Sequence, residues 1–145
     1  MEFMPTPARA DDLPDILTLL KESGLPVAGI EQHLDTTLVA RDNGRVIGCA
    51  AIEVYGESGL LRSIAVDRAW RGVGLGQRLT QAALQLAHAR GISEVYLLTT
   101  TADQFFPRFG FERIAREDIV PALAASEELR GACPDTAIAM RADLR

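Results

Sequence analysis

A glycine-rich stretch, RGVGLG at Arg71–Gly76, contains the residue types that point most directly to chemistry. It lacks the Gly-Lys-Ser/Thr ending of a P-loop and the G-x-G-x-x-G spacing of a dinucleotide-binding loop. A loop that opens a helix presents unpaired backbone N–H groups at the positive end of the helix dipole, and glycines allow close approach of a ligand. The stretch therefore predicts an anion site suited to a diphosphate, with a ligand-free glycine turn as the alternative.

A charged residue also interrupts the apolar run LLRSIAV, at Arg62. An arginine on a central strand needs an anionic partner. One candidate partner is a carboxylate or oxyanion of a bound substrate. The other is a structural salt bridge, for example to Glu53 in the run AAIEVY, and the two arrangements are compatible in an empty pocket.

The charge distribution narrows the class of ligand. The formal net charge is −5, which argues against general nucleic-acid binding. Residues 1–61 carry four basic and ten acidic side chains, whereas residues 62–116 carry eight arginines and four acidic side chains. Because the basic segment surrounds the glycine-rich stretch, it favours a small anionic ligand over a long polyanion.

The elements that must position these residues form one α+β domain over residues 1–145. A parallel pair joined by a right-handed helical crossover is expected between 60–66 and 94–99, and the three strands from 36 to 66 form an antiparallel meander. Strand patterns lie at 2–8, 36–40, 45–55, 60–66, 94–99, 111–115 and 136–142, and helical patterns at 12–23, 27–33, 75–91, 102–108 and 117–129.

Two motifs in this order resemble the signatures of the GNAT superfamily of N-acetyltransferases. In IAVDRAWRGVGLGQRL, Arg71, Gly74 and Gly76 form the R-x-x-G-x-G of the acetyl-CoA-binding signature. FFPRFGFERI, at 105–114, resembles the second signature, an aromatic pair followed by Gly-Phe. The resemblance covers essentially the whole chain. It implies a GNAT-like mixed sheet of about seven strands with an antiparallel N-terminal part, flanking helices and a central parallel pair that splays around the cofactor.

The resemblance implies acetyl-CoA as co-substrate and no metal. Three residues of the splayed strand would line the acyl and pantetheine arm, the loop amides would hold the pyrophosphate, and the two threonines and the aromatic pair would contact the pantetheine. An arginine after the aromatic pair would reach a phosphate, with an ordinary surface arginine as the alternative. The expected cofactor-binding set is Ile64, Ala65, Val66, Arg71, Gly72, Val73, Gly74, Leu75, Gly76, Gln77, Thr99, Thr101, Phe105, Phe106 and Arg108.

Acetyl transfer to an amine requires a neutral amine, a stabilised oxyanion and a protonated leaving thiolate. The backbone N–H of Val66 is expected to polarise the thioester carbonyl. Glu53 is the first candidate for the general base, because it lies in an otherwise apolar strand near the expected cleft. Exposure to solvent at the strand end is its alternative, and Glu57 is a weaker candidate.

The sequence does not identify the group that protonates the leaving thiolate. Many members of the superfamily carry a tyrosine where this chain has Phe106, and phenylalanine donates no proton. Either another donor serves or the thiol takes its proton from water, and four side chains remain as unranked donors: Ser63, Thr99, Tyr55 and Cys133. We expect Arg62, Tyr55 and Cys133 to face the acceptor substrate, with a plain buried thiol as the alternative for the last.

A narrower resemblance concerns the acceptor. LLRSIAV, YLLTTTADQFF and Cys133-Pro134 are similar to GNAT proteins associated with bacterial arsenic-resistance operons. This similarity implies a small acidic amine substrate, such as an amino-acid-like arsenical. Two alternatives stay open: a protein or peptide N-acetyltransferase, whose basic substrate the acidic N-terminal half would attract, and a non-catalytic acyl-CoA-binding module.

The location and partners follow from what the sequence lacks. No apolar run approaches the roughly 18 residues of a membrane helix, and the N-terminus lacks a signal-peptide pattern, so we expect a cytoplasmic protein with no membrane or nucleic-acid partner. Cys49 and Cys133 are expected to be reduced thiols without metal-ligand spacing. Exposed sheet edges would allow a homodimer.

Overall fold

The computed structural model describes residues 4–145 and contains a seven-stranded mixed sheet. The strand order is β1-β2-β3-β4-β5-β7-β6, and every neighbouring pair is antiparallel except β4–β5. The predicted fold class is therefore confirmed, although part of the predicted strand 2–8 lies outside the described residues. The strands are β1 (Thr6–Pro7), β2 (Thr37–Asp42), β3 (Arg45–Tyr55), β4 (Ser58–Val66), β5 (Glu94–Thr99), β6 (Glu112–Ile114) and β7 (Ile138–Asp143).

Two α-helices, α1 (Leu13–Glu22) and α2 (Leu75–Ala89), cover opposite faces of the sheet. Successive side chains of a strand point to opposite faces, so alternate residues of β3 join two different clusters. Cys49 and Ala51 pack with the apolar side chains of α1, whereas the intervening Ala50 packs with those of α2. No helix among residues 4–145 is long and apolar enough to cross a bilayer.

Three of the predicted helices are not α-helices in the structure. The pattern at 27–33 becomes a 3-10 helix at Ile30–Thr36, and the pattern at 102–108 becomes a 3-10 turn at Phe106–Phe109 that contains a proline near its start. The predicted helix 117–129 is wrong. Short 3-10 turns at 116–118 and 121–125 replace it, followed by a π-helical turn at 128–132, because Pro121 lacks a backbone donor and cannot continue a helix.

A β-bulge in β4 determines where the parallel pair separates. Arg62 pairs with Ala51 and Ala65 pairs with Cys49, so two residues of β4 lie opposite one residue of β3. The first of the two, Ser63, has a left-handed φ of +61°. β4 pairs with β5 only through 58–60, and beyond that point the two strands have no ladder. The expected splay is present, and it opens the sheet.

Candidate active site

The gap between β4 and β5 opens into a cleft of about 1160 Å³. It extends from the loop before α2, past the end of β4, to the C-terminal segment before β7. Three predicted site residues, Glu53, Tyr55 and Val73, do not line it. The predicted site residues that line the cleft are Arg62, Ser63, Ile64, Ala65, Val66, Arg71, Gly72, Gly74, Leu75, Gly76, Gln77, Thr99, Thr101, Phe105, Phe106, Arg108 and Cys133.

The glycine-rich loop forms one end of the cleft. Gly74 caps the N-terminus of α2 with a left-handed φ of +84°, and a Cβ added there would meet no atom within 4 Å. The backbone N–H groups of the first turn, from Leu75 onward, have no partner inside the helix. Because the residues of this turn line the cleft, the loop offers amide donors, a helix dipole and open space to a phosphate group.

Two arginines and an aromatic cluster flank this loop. The Nε of Arg71 donates to the carbonyl of Val66 at 3.0 Å, and the guanidinium of Arg108 lies 4.8 Å from the ring centroid of Phe105. The rings of Phe105 and Phe106 meet edge to face at 5.1 Å. Phe106 is buried against the core under α2 and thus forms an apolar wall of the cleft.

At the opposite end of the cleft, the predicted salt bridge between Arg62 and Glu53 is confirmed. Nη1 of the guanidinium donates to Oε2 of the carboxylate at 2.8 Å, and both side chains are fully buried. Tyr55 donates to the other carboxylate oxygen at 2.5 Å. His33 lies 3.7 Å from Oε2. The alternative of a solvent-exposed Glu53 is therefore wrong. Glu53 lies near the cleft, in contact with Arg62, but it does not line the cleft, because both carboxylate oxygens are turned toward buried partners.

The remaining contacts of Arg62 join three segments of the chain. Its Nη1 and Nη2 donate to the carbonyls of Ala28 and Pro26 at 2.8 and 3.2 Å, and its Nε donates to Ser63 Oγ at 3.1 Å. The same Nε lies 3.3 Å from Glu128 Oε2. A substrate carboxylate would have to displace one of these partners, so the clamp predicted for Arg62 stays a prediction.

Glu128 is the charged residue of the cleft that sequence reasoning missed. It is 3% exposed, lines the cleft and accepts a hydrogen bond from the Cys133 thiol. Burial raises the pKa of its carboxyl to about 7, with Glu53 adding to the rise and Arg62 opposing it. The sequence carried one weak signal, a glutamate placed shortly before Cys133-Pro134, but the helix expected there hid its position.

The candidate proton donors differ in their surroundings. Ser63 Oγ accepts from the Nε of Arg62, and Thr99 Oγ1 accepts from a backbone N–H at 2.9 Å. Burial, together with the neighbouring Glu128 carboxylate, raises the pKa of the Cys133 thiol to about 12. Tyr55 has a raised pKa for the same reasons, burial and then Glu53, and lies away from the cleft wall. Among residues 4–145, no three metal-ligating side chains cluster.

Comparison with known protein families yields a match that spans both sequence motifs. A model of the acetyltransferase (GNAT) domain matches residues 33–113, which is more than half of the chain and includes both the glycine-rich loop and the aromatic pair. The chain belongs to the GNAT acetyltransferase family. The resemblance of the two motifs to that superfamily is thereby confirmed.

Curated relatives of this GNAT domain include amino-acid acetyltransferases. An uncharacterized N-acetyltransferase of Chlorobaculum tepidum is 36% identical over 100 residues, which cover 68% of this chain and 62% of the relative. An amino-acid acetyltransferase of Neisseria meningitidis is 29% identical over 123 residues, 79% of this chain and 28% of the relative. The chain thus spans less than two thirds of the length of these relatives.

Two solved structures match this chain over nearly its whole length. N-acetylglutamate synthase from Neisseria gonorrhoeae, complexed with coenzyme A and N-acetyl-glutamate, superposes with a TM-score of 0.84 at 21% identity, over 100% of this chain and 36% of that one. A Mycobacterium tuberculosis protein complexed with CoA gives a TM-score of 0.81 at 23% identity, over 98% and 99% of the two chains. At such identities these matches establish the fold.

Proposed function

We propose that this chain transfers the acetyl group of acetyl-CoA to the amine of a small, acidic, amino-acid-like substrate by direct attack in a ternary complex. One observation carries the proposal. A single cleft joins the amide-lined N-terminus of α2 to a buried cluster of charged side chains, and the gap between β4 and β5 lies between the two ends. A diphosphate and an amine could therefore bind at opposite ends of the same cleft, connected by the gap between the two strands.

The α2 end has the groups that a CoA pyrophosphate requires. The amides of Leu75 and Gly76 would bind the phosphate oxygens, and Arg71 and Arg108 would add positive charge at the mouth. Acetyl-CoA supplies the activated acyl group when it is bound. In this arrangement the Val66 N–H is the proposed donor to the thioester oxygen, which would develop negative charge during attack.

The acceptor end favours an amino acid over a larger substrate. Arg62 and Glu128 lie side by side there. Glu128 would meet the ammonium of an amino acid, and Arg62 would meet its carboxylate once that group displaces one of the present partners of the guanidinium. The relatives named as amino-acid acetyltransferases support this class. The similarity of LLRSIAV and YLLTTTADQFF to arsenic-resistance proteins adds an amino-acid-like arsenical to the candidates.

An acetylation assay with a panel of amines tests the function. We expect turnover with free acidic amino acids or an amino-acid-like arsenical, and a kcat/KM at least about 100-fold lower with lysine-rich peptides. The assay measures CoA release against a no-enzyme control. Preference for the peptides would support a protein N-acetyltransferase instead. Tight acetyl-CoA binding without turnover across the panel would support the binding module, since the chain lacks a tyrosine at 106.

A further inference from the structure

We infer that Glu128 is the general base that takes the proton from the acceptor's ammonium group, a role for which Glu53 is the first candidate from the sequence. The inference rests on the proposed function. It places a catalytic carboxyl on the irregular segment before β7, at the acceptor end of the cleft.

Access distinguishes the two carboxyl groups. Glu53 is fully buried beneath the cleft wall, and its two oxygens accept from Arg62 and Tyr55 at 2.8 and 2.5 Å. Glu128 lines the cleft itself, as do the bulged Ser63 and Cys133. Only the second carboxyl group stands where an amine entering the cleft can contact it.

Charge balance favours an incoming cation. Two carboxylates, Glu53 and Glu128, share the single guanidinium of Arg62, at 2.8 and 3.3 Å. When both are ionised, this trio carries one net negative charge in a buried setting. A substrate ammonium beside Glu128 would compensate that charge, and transfer of its proton to Glu128 would remove it.

Every segment packed around Glu128 contributes to its protonation. From β4 the Arg62 guanidinium favours the ionised carboxylate, whereas from β3 Glu53 opposes it, and Tyr55 and His33 in turn contact Glu53. On its own segment the Cys133 thiol donates to it, and the charge of Arg116 acts on that thiol. With burial, the result is a carboxyl pKa of about 7, close to the range in which a general base works best.

The proton balance needs no further reactant. Glu128 accepts one proton from the ammonium, and the neutral amine then attacks the thioester carbon and forms the C–N bond. As the C–S bond breaks, the sulfur leaves with its electron pair. The second proton lost by the nitrogen passes to that sulfur, directly or through water, which accounts for a site without a tyrosine at 106. Glu128 afterwards releases its proton to water in the cleft.

The matched variants are Glu128→Gln and Glu127→Gln, because Glu127 is the adjacent residue and its side chain is 44% exposed in a weak pair with Arg130. Removing a general base should lower kcat/KM about 100-fold or more and abolish the rise of kcat/KM between about pH 6 and pH 8. Glu127→Gln should keep both the rate and the pH profile. CoA binding by calorimetry and thermal unfolding would verify that each variant is folded.

The outcomes separate this inference from the proposed function. If the wild-type chain acetylates no amine of the panel, the proposed function fails and the inference fails with it. If the wild-type chain is active but kcat/KM of Glu128→Gln still rises with pH, the rise reflects deprotonation of the substrate amine. In that case the inference alone is overturned. Glu128→Asp is a second variant, which should lower kcat while its kcat/KM still rises with pH. An active Asp variant whose kcat/KM does not change with pH would also overturn the inference.

Discussion

Arg62 illustrates how one residue type can organise a site without being its reactive group. A guanidinium has five donors in a fixed plane, and here they meet carboxylates and carbonyls from β3, the α1–β2 connection and the C-terminal segment. The walls of the acceptor end are therefore fixed relative to one another by a single side chain. Such a residue should matter for stability as much as for catalysis.

We predict that Arg62→Met destabilises the fold by about 3–5 kcal/mol, because it leaves Glu53 and Glu128 buried without their cation. Urea denaturation measures the change. The control is Arg45→Met, which breaks an ion pair with Asp67 whose arginine is 67% exposed and should cost under about 1 kcal/mol. Equal losses in the two variants would contradict a stabilising role for the buried network.

The raised pKa of Glu128 predicts a pH-dependent stability. Its carboxyl binds the proton more tightly in the folded protein, where its pKa is about 7, than in the unfolded chain, where it is near 4.5. Between these values only the folded state holds the proton, so stability falls as pH rises through this window and the loss is complete above about pH 7.

Glu128→Gln, which mimics the neutral acid, should therefore be more stable than the wild-type chain at about pH 8, by on the order of 1–3 kcal/mol, and should gain little near pH 4.5. Denaturant unfolding across this pH range measures the difference. Glu127→Gln, as the exposed neighbour, should follow the wild-type curve. If the wild-type chain and Glu128→Gln lose stability in parallel as pH rises, Glu128 is ionised throughout the range.

At the scale of elements, two local irregularities produce the cleft. The bulge at Ser63 ends the regular geometry of β4, and the ladder to β5 stops before it. The left-handed Gly74 turns the chain into α2, so that the free amides of the helix face the gap. The sequence predicted the second irregularity from its glycines. It did not predict the first, because serine carries no signal for a left-handed φ.

Gly74→Ala should lower CoA affinity at least about 10-fold, because alanine disfavours a φ of +84° and the loop amides would reorient. The matched control is Gly91→Ala, at φ +80° after the other end of α2, with equally open space around its Cβ position. Both variants should lose about 1 kcal/mol of stability, and only the first should lose CoA binding in calorimetry. If Gly74→Ala binds CoA with wild-type affinity, this loop is not part of the CoA-binding site.

On the scale of the whole molecule, the cleft crosses a sheet that would otherwise be continuous. One side of it belongs to the antiparallel strands β1–β4 and the other to β5, β7 and β6, joined by only three parallel pairs between β4 and β5. A ligand that occupies the gap would contact both parts and replace the missing ladder with its own bonds. Binding should therefore stabilise the entire fold cooperatively.

CoA at about 100 times its Kd should stabilise the folded protein by about 2.7 kcal/mol, which corresponds to a rise in Tm of roughly 5–10 °C for a chain of this size. Differential scanning fluorimetry measures the shift. ATP, which has the adenine and phosphates but no pantetheine arm to fill the gap, serves as the control and should give a smaller shift. Identical shifts with the two ligands would indicate that binding does not involve the gap.

The local parts of this protein follow from the sequence. Hydrophobic periodicity predicted the seven strands in outline and both α-helices, and the spacing of Arg71, Gly74 and Gly76 predicted the loop before α2. Local patterns suffice for these features because a strand, a helix or a turn is selected by neighbouring residues. The pattern failed at 117–129, where proline and tertiary contacts replace an α-helix with short turns.

The tertiary structure alone decided which charged groups meet. The sequence placed Glu53 and Arg62 on adjacent strands and left a salt bridge between them as one of two possible roles for Arg62, and the structure shows that salt bridge. That Glu53 turns away from the cleft, and that Glu128 approaches Arg62 from a distant part of the chain, depends on the register of β3 with β4, the bulge at Ser63 and the path of an irregular segment. These features arise from packing across the whole fold, and no short run of residues encodes them.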